Sequence, residues 1–343
     1  MCSKCTDASY YGAMNATTLT VATSNVLNLA APNRHYYPNQ DPYSQSQYAR
    51  KLEWLGGRLA AVNADVVAVQ EVWDESALKG AVHTSGMRYQ TVAVPGAEQD
   101  GVLQGTPGVG LITRLDVLDL QSLPNLPPHA HVDVPDLGLV TQFARPPLVA
   151  KLRTKHGLEL TVVTAHLKSK RPKYLQDQAG NTIEDRADPA VTARAVLRSL
   201  VLRASEAVGL RATIADILAN TREPLILMGD FNDGPHSVTT QLMAATSEVA
   251  YNRKARDTAL YNAWEVQGEA ALKRDVAYSH IYQGWPELLD HIFVSEEFVP
   301  TSRFSVGDVR RVDAFNDHLH EGRHRHTSDH GIVRALLRIN MPD

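Results

Sequence analysis

Two stretches of this 343-residue chain are apolar for nearly the full length of a strand: ADVVAVQEV at 64–72 and EPLILMGD at 223–230. A strand with one face in water alternates apolar and polar residues, whereas runs like these need cover on both faces. The chain must therefore layer a sheet beneath other elements. Helices to supply that cover are legible. The run 46–62 places Leu52, Leu55, Leu59 and Val62 on one stripe. The run 189–220 reads as one long helix, with Pro189 suited to its first turn. There Leu200, Ala204, Ala207, Leu210, Ile214 and Ile217 form the expected core stripe, and Arg194, Arg198, Arg203 and Arg211 are expected in solvent.

Further strands are expected at 18–26, at 288–295 and at 331–339, with six short β-branched runs between 89 and 167. Strand-like and helical runs alternate throughout, which makes this an α/β chain. No repeat and no linker divides it. The expectation is a tail over 1–17 and a single domain over 18–340. Two long polar loops stand out: 168–188, which opens with the basic cluster KSKRPK, and 314–330, which carries five histidines. Loops of such length inside a domain are commonly functional.

Lys+Arg is 34 against Asp+Glu 38, a net charge of −4. A protein that grips DNA by bulk electrostatics is excluded. A nuclease is not, because a metal can neutralise phosphate locally. Cys2 and Cys5 are the only cysteines, so the body carries no disulfide; a zinc site at C-x-x-C lacks a second pair. No apolar stretch is long enough to span a bilayer and no signal peptide opens the sequence as given. The expectation is a cytoplasmic protein, or a secreted one if a leader has been removed. It has no stable membrane anchor and no evident protein partner.

The apolar runs end in polar groups. LILMGDFND leads into Asp230 and Asn232, which share a face if the strand continues; the alternative is an Asx turn into Gly234-Pro235. Other runs end at Asn25, at Glu71, at His166 with Lys168 in its phase, and at Asp290; the last strand is entered through Asp329 and His330. Any one of these has a bland reading as a cap or a strand-end polar residue. Together they place costly ionisable groups where α/β folds build sites. Asn, Glu and Asp are hard oxygen ligands suited to Mg²⁺, and histidines move protons near neutral pH. That inventory fits hydrolysis of a phosphate ester.

In this order, the segments TSNVLNL, VVAVQEVWD, VVTAHLKSK, LILMGDFND, LLDHIFVS and HTSDHGIV resemble the endonuclease/exonuclease/phosphatase superfamily, the group of pancreatic DNase and exonuclease III. In look they are nearest to its bacterial secreted-nuclease-like members. The resemblance implies a four-layer α/β/β/α sandwich of two mixed, mainly antiparallel sheets flanked by helices. It implies Mg²⁺, with Mn²⁺ able to substitute and room for a second ion, held by Asn25, Glu71 and Asp329. It implies catalytic roles for His166, Asp230, Asn232, Asp290 and His330, with Lys168 a phosphate contact. Asn28 is out of phase with Asn25 and is not expected in the site.

The implied activity is in-line attack of water on a phosphodiester, with nucleic acid, DNA first, as the substrate. The alternative is a hydrolase of small or lipid phosphodiesters. A zinc enzyme built on the histidines of 318–330, and a non-catalytic binding protein, complete the readings.

Overall fold

The computed structural model describes residues 16–340 apart from 38–39, 96–105, 178 and 269–275; Cys2 and Cys5 lie outside those residues. Strand β1 (Ala16–Leu29) leads through helix α1 (Gln45–Val62) to β2 (Val66–Val72), then α2 (Glu75–Thr84), β3 (Thr91–Ala93) and β4 (Gly108–Thr113). β5 (Asp116–Ser122) follows, then the hairpin β6 (Val132–Val134) and β7 (Gly138–Val140), and then β8 (Leu148–Arg153) and β9 (Glu159–His166). Helix α3 (Pro189–Leu218) precedes β10 (Leu225–Asp230), α4 (Val238–Ala244), β11 (Tyr261–Asn262) and α5 (Ala263–Val266). The chain closes with β12 (His280–Tyr282), β13 (Trp285–Glu287), β14 (Asp290–Val294), β15 (Gly307–Phe315) and β16 (Ile332–Asn340).

Six strands in the order β15-β16-β1-β2-β4-β3 form one sheet, and six in the order β11-β14-β10-β9-β8-β5 form another. The pairs β1–β2 and β9–β10 are parallel. Those flanking them, such as β1–β16, β2–β4, β10–β14 and β8–β9, are antiparallel.

The two-residue period of each central strand sorts its side chains into different cores. Val66 and Ala68 of β2 meet Ile226 and Met228 of β10 in a cluster between the sheets. Val67 and Val69 pack outward on Leu55 and Leu59 of α1 and Leu78 of α2. Leu225 and Leu227 pack the other way, on Leu210 and Ile214 of α3. This is why the two runs are continuously apolar: both faces are covered. The result is the α/β/β/α sandwich implied by the resemblance. Helix α1 begins where the sequence allows it, with Ser44 and Gln47 forming a reciprocal capping box.

Helix α3 departs from its sequence reading. Leu200 is exposed, whereas Arg198 and Arg203 are buried. The neighbouring loops supply the reason. Arg198 donates to the carbonyls of Pro135 and Lys173 and to the carboxylates of Asp136 and Glu184. Arg203 donates to Asp233 and to the Lys168 carbonyl. A buried guanidinium is tolerated when its donors are directed at acceptors, as every nitrogen of Arg198 is. These contacts fasten the polar stretch after β9 to the helix. Strand β15 and helices α2 and α4 were not anticipated, and the 314–330 stretch begins with the end of β15 rather than as loop.

The parallel strands β9 and β10 approach closely at Gly229, which pairs with Ala165. A Cβ on Gly229 would lie 1.9 Å from the Ala165 carbonyl oxygen. Gly229→Ala is therefore expected to destabilise by about 3 kcal/mol or more, because the strands must separate. Nothing lies within 4 Å of a Cβ on Gly234, and Gly234→Ala is expected within about 0.5 kcal/mol of wild type. Urea denaturation of both variants checks this; equal midpoints would contradict it.

Candidate active site

The polar residues gather where the inter-sheet core runs out. Asp230 is in phase with Ile226 and Met228, Asp290 with Ile292 and Val294, and His166 with Leu160 and Val162, all of the inter-sheet cluster. Asn25 is in phase with Val21 of the same cluster. Each strand thus carries its apolar pattern up to the end of the sandwich and then presents one polar group on the same inner face. Glu71 breaks this rule. In β2 the inward phase is Val66, Ala68 and Gln70, and Gln70 is held by Thr23. At Glu71 the backbone turns left-handed, with φ +64, where the β2 register shifts in a bulge. A bulge adds a residue and re-aims the side chains that follow it. Here it brings a residue of outward phase into contact with Asn25.

The side chains form one connected network. The Asn25 amide donates to Glu71 Oε1 at 3.2 Å and, across the sheets, to Asp230 Oδ2 at 3.0 Å. Glu71 Oε2 accepts from the Asn28 N–H. Asp230 Oδ2 lies 3.3 Å from His166 Nε2 and 3.8 Å from His330 Nε2. His330 Nδ1 binds Asp290 Oδ2 at 2.7 Å. Ser328 fixes the approach of His330: its hydroxyl donates to the Asn25 carbonyl and accepts from the His330 N–H.

Burial and charge push these groups apart in acidity. Burial works to lower the pKa of His330, but the charges of Asp290 and Asp230 outweigh it and hold the pKa well above the usual histidine value. Burial raises Asp290 to about 6, against the pull of His330. Burial also works to raise Asp230, yet His330, His166 and Asn25 together keep it below the ordinary carboxylate range. His166 is lowered, by burial and by the Arg145 guanidinium. One histidine is thus held cationic and the other neutral.

The remaining expected residues divide. Asn232 does not continue the strand: β10 ends at Asp230, and Asn232 sits at φ +53. Its N–H donates to Asp230 Oδ1 and its amide to the Leu167 carbonyl, so the Asx-turn reading holds and the side chain lies beside the site. Lys168 turns its ammonium into its own loop, onto Ser169 and the Arg171 carbonyl. Burial lowers its pKa to about 8. Asp329 is half-buried next to His330. The Asn28 side chain accepts from the Trp73 indole, and only its backbone N–H reaches the network, at Glu71. Trp73 is packed with Tyr36 and Tyr43, and Trp285 is exposed. Of the histidine-rich loop, His318 is buried and bonded to the His330 carbonyl, and His324 stacks on His326.

Sequence reasoning missed Arg145, whose Nη1 lies 3.1 Å from His166 Nε2 and whose Nη2 donates to the Leu167 carbonyl. It lies between short β runs with no periodic signal. Also missed was buried Glu206 of α3, which accepts the N–H groups of Ala144 and Lys168 and so supports the loops on both sides of His166.

Two oxygen-rich arrangements bear on a metal ion. Ligand atoms of Asp230, Asp290 and His330 lie within 4.8 Å of one another, the sole such group of His, Cys, Asp and Glu among the described residues. An ion there would have to displace the 2.7 Å bond between His330 and Asp290. Glu71, Asn25 and Asp329 offer amide and carboxylate oxygens of the kind Mg²⁺ takes, and Glu71 and Asp329 remain half-buried rather than sealed. By the chemistry of their donors, Glu71 and Asp329 fit a divalent cation and leave the histidine–aspartate pair intact, whereas the Asn25 Oδ1 is engaged by the Leu27 N–H and its NH2 is turned to Glu71 and Asp230.

The sequence pattern of the Endonuclease/Exonuclease/phosphatase family matches residues 22–330. The fold is similar to the human Nocturnin catalytic domain with bound sulfate anion, at 16% identity and a TM-score of 0.56, covering 94% of this chain and 97% of that one. It is similar to a mannosyl-6-phosphatase of Bacteroides thetaiotaomicron, at 17% identity and a TM-score of 0.55, covering 93% and 99%. TDP2 of D. rerio, complexed with single strand DNA product, gives 17% identity and a TM-score of 0.53, covering 94% and 99%. At such identities these likenesses speak to the fold alone. A search of curated proteins returned no match.

Because the Asp290 charge helps to raise His330, Asp290→Asn should bring the His330 titration down toward the ordinary histidine range. Imidazole NMR titration in EDTA reads this directly. An unmoved midpoint would show that the pair does not set the charge of His330.

Proposed function

The chain belongs to the endonuclease/exonuclease/phosphatase family, whose members are phosphoric ester hydrolases, and from that premise we propose that it is a divalent-metal-dependent phosphodiesterase acting on DNA. One observation carries the reading. The Asn25 amide ties Glu71 to Asp230, and Asp230 lies within 4 Å of both a neutral and a cationic histidine. Asn25, Glu71 and Asp329 would hold the ion. When bound it neutralises charge on the phosphoryl oxygens.

The chain's own groups have the following roles. Asp230, held ionised, accepts a hydrogen bond from the attacking water and aligns it. His166, held neutral, is the acceptor for its proton. His330, held cationic by Asp290, gives its proton to the departing ester oxygen as the water oxygen bonds to phosphorus and the phosphorus–ester oxygen bond breaks. Arg145 is the cation at the phosphate, the role first given to Lys168. The basic run KSKRPK at 168–173 opens the loop that follows His166 and Leu167, and a cluster of cations of that kind suits a polyanion, so DNA is favoured over a small or lipid diester. Among the described residues no helix is long and apolar enough to cross a membrane.

Purified protein with Mg²⁺ or Mn²⁺ is expected to nick supercoiled plasmid, to be silenced by EDTA, and to lose activity in Glu71→Ala. RNA and a chromogenic diester run in parallel. Turnover of the small diester with no nucleic-acid cleavage would move the substrate to small or lipid diesters. No metal-dependent turnover on any of them would sink the proposal.

Arg145→Ala is expected to lower kcat by about 10²–10³, the loss typical of removing one charge-stabilising donor. Lys168→Ala should lose far less. The reverse ranking in steady-state kinetics would return the phosphate contact to Lys168.

A further inference from the structure

Lysine is rarely buried completely, yet Lys51 of α1 is wholly enclosed. Its ammonium forms no ion pair at bonding distance among the described residues. It donates instead to two main-chain carbonyls, Leu27 at 3.0 Å and Thr327 at 3.1 Å. Those carbonyls belong to the two segments that carry Asn25 and Asp329. On the first, Leu27 and Asn28 are both left-handed, with φ +51 and +52, directly after Asn25. Burial lowers the Lys51 pKa to about 7, and the charges of Glu71 and Asp329 resist that fall. The lysine thus holds the segments that carry Asn25 and Asp329, two of the three residues assigned to the ion.

We propose that Lys51 is a built-in counter-ion of the metal pocket. It is a positioning residue that bridges the Leu27 and Thr327 segments, balances Glu71 and Asp329 when no ion is bound, and weakens the pocket's hold on a divalent ion. The inference rests on the metal reading above. Removing Lys51 has two opposed effects: a segment bridge is lost, and a positive charge is withdrawn from beside a cation. The second should win. The segments keep other ties, since Ser328 holds the Asn25 carbonyl, the Asn25 side chain accepts from the Leu27 N–H, and the Asn28 N–H holds Glu71. Even at about 10 Å, repulsion between a unit charge and a divalent ion is worth a factor of ten or more at the effective dielectric of about 20 that suits protein sites.

The test is a Mg²⁺ titration of EDTA-stripped protein at about pH 6, below the Lys51 pKa of about 7 so that the ammonium is charged, read by calorimetric Kd and by the Mg²⁺-induced rise in Tm, for wild type, Lys51→Met, Lys51→Arg and Leu55→Ala. Leu55 is a fully buried residue of the same helix, and its loss destabilises through packing alone. Lys51→Met is expected to melt lower without metal, to bind Mg²⁺ about tenfold more tightly, and to gain more Tm from Mg²⁺ than wild type. Lys51→Arg, which keeps the charge, and Leu55→Ala should both show the wild-type affinity. Should Lys51→Met fail to fold in either condition, Lys51→Gln carries the same comparison. A wild type that responds to Mg²⁺ beside a Lys51→Met of equal or weaker affinity overturns the counter-ion role and leaves the metal reading standing. A wild type that shows no response to Mg²⁺ overturns both.

Discussion

The two sheets are joined through apolar side chains for most of their length and through polar bridges at the end, of which the Asn25 amide is the one that reaches both ways. Asn25 of β1 donates to Glu71 within its own sheet and to Asp230 in the other. Everything polar in the site is placed relative to that bridge. Asp230, fixed by Asn25, sits within reach of His166 on β9 and of His330 at the entrance to β16. Asp290 then holds His330 from the far side. A polar pair across a buried interface is favourable only if each partner is satisfied, and here the carboxylate collects donors from three separate elements. The relative setting of the sheets, and the position of four ionisable groups, are one geometric problem with one solution.

Much of this was legible in the residues. The doubly apolar runs announced covered strands, and the polar groups read at strand ends lie there for His166 and Asp230, which close β9 and β10, and for Asp290, which opens β14, whereas β1 runs on past Asn25. Local pattern could not count layers, because a strand's two faces look equally apolar whatever covers them. That came from the resemblance and is borne out by the three clusters. Glu71 was found by its place in a motif, yet the two-residue period would have aimed it outward. Only the bulge, which has no sequence signal here, corrects its direction. Asn232 shows the converse: the period pointed it inward, but the strand stops two residues earlier.

Arginine was the residue type read least well. On a helix, charge is taken as a sign of solvent. In α3 that rule fails at Arg198, Arg203 and Glu206, all buried, because their partners come from loops distant in sequence. Arg145 was invisible for the same reason: its importance lies in the neighbour it meets, His166, and not in its local pattern.

Those helix charges also bear on how a substrate would meet the protein. Arg198 and Arg203, with Glu206, hold the chain on both sides of His166 and at Asp233 before anything binds. Arg325 does the same for the aromatic segment, bonding to Tyr36 and stacking over Tyr43. Binding to a rim that must first be ordered forfeits part of the contact energy to conformational entropy. Here the folding of the domain has already met that entropy. Encounter should therefore approach the regime of a rigid docking event, its rate governed by diffusion and by the local field of the cations rather than by loop closure.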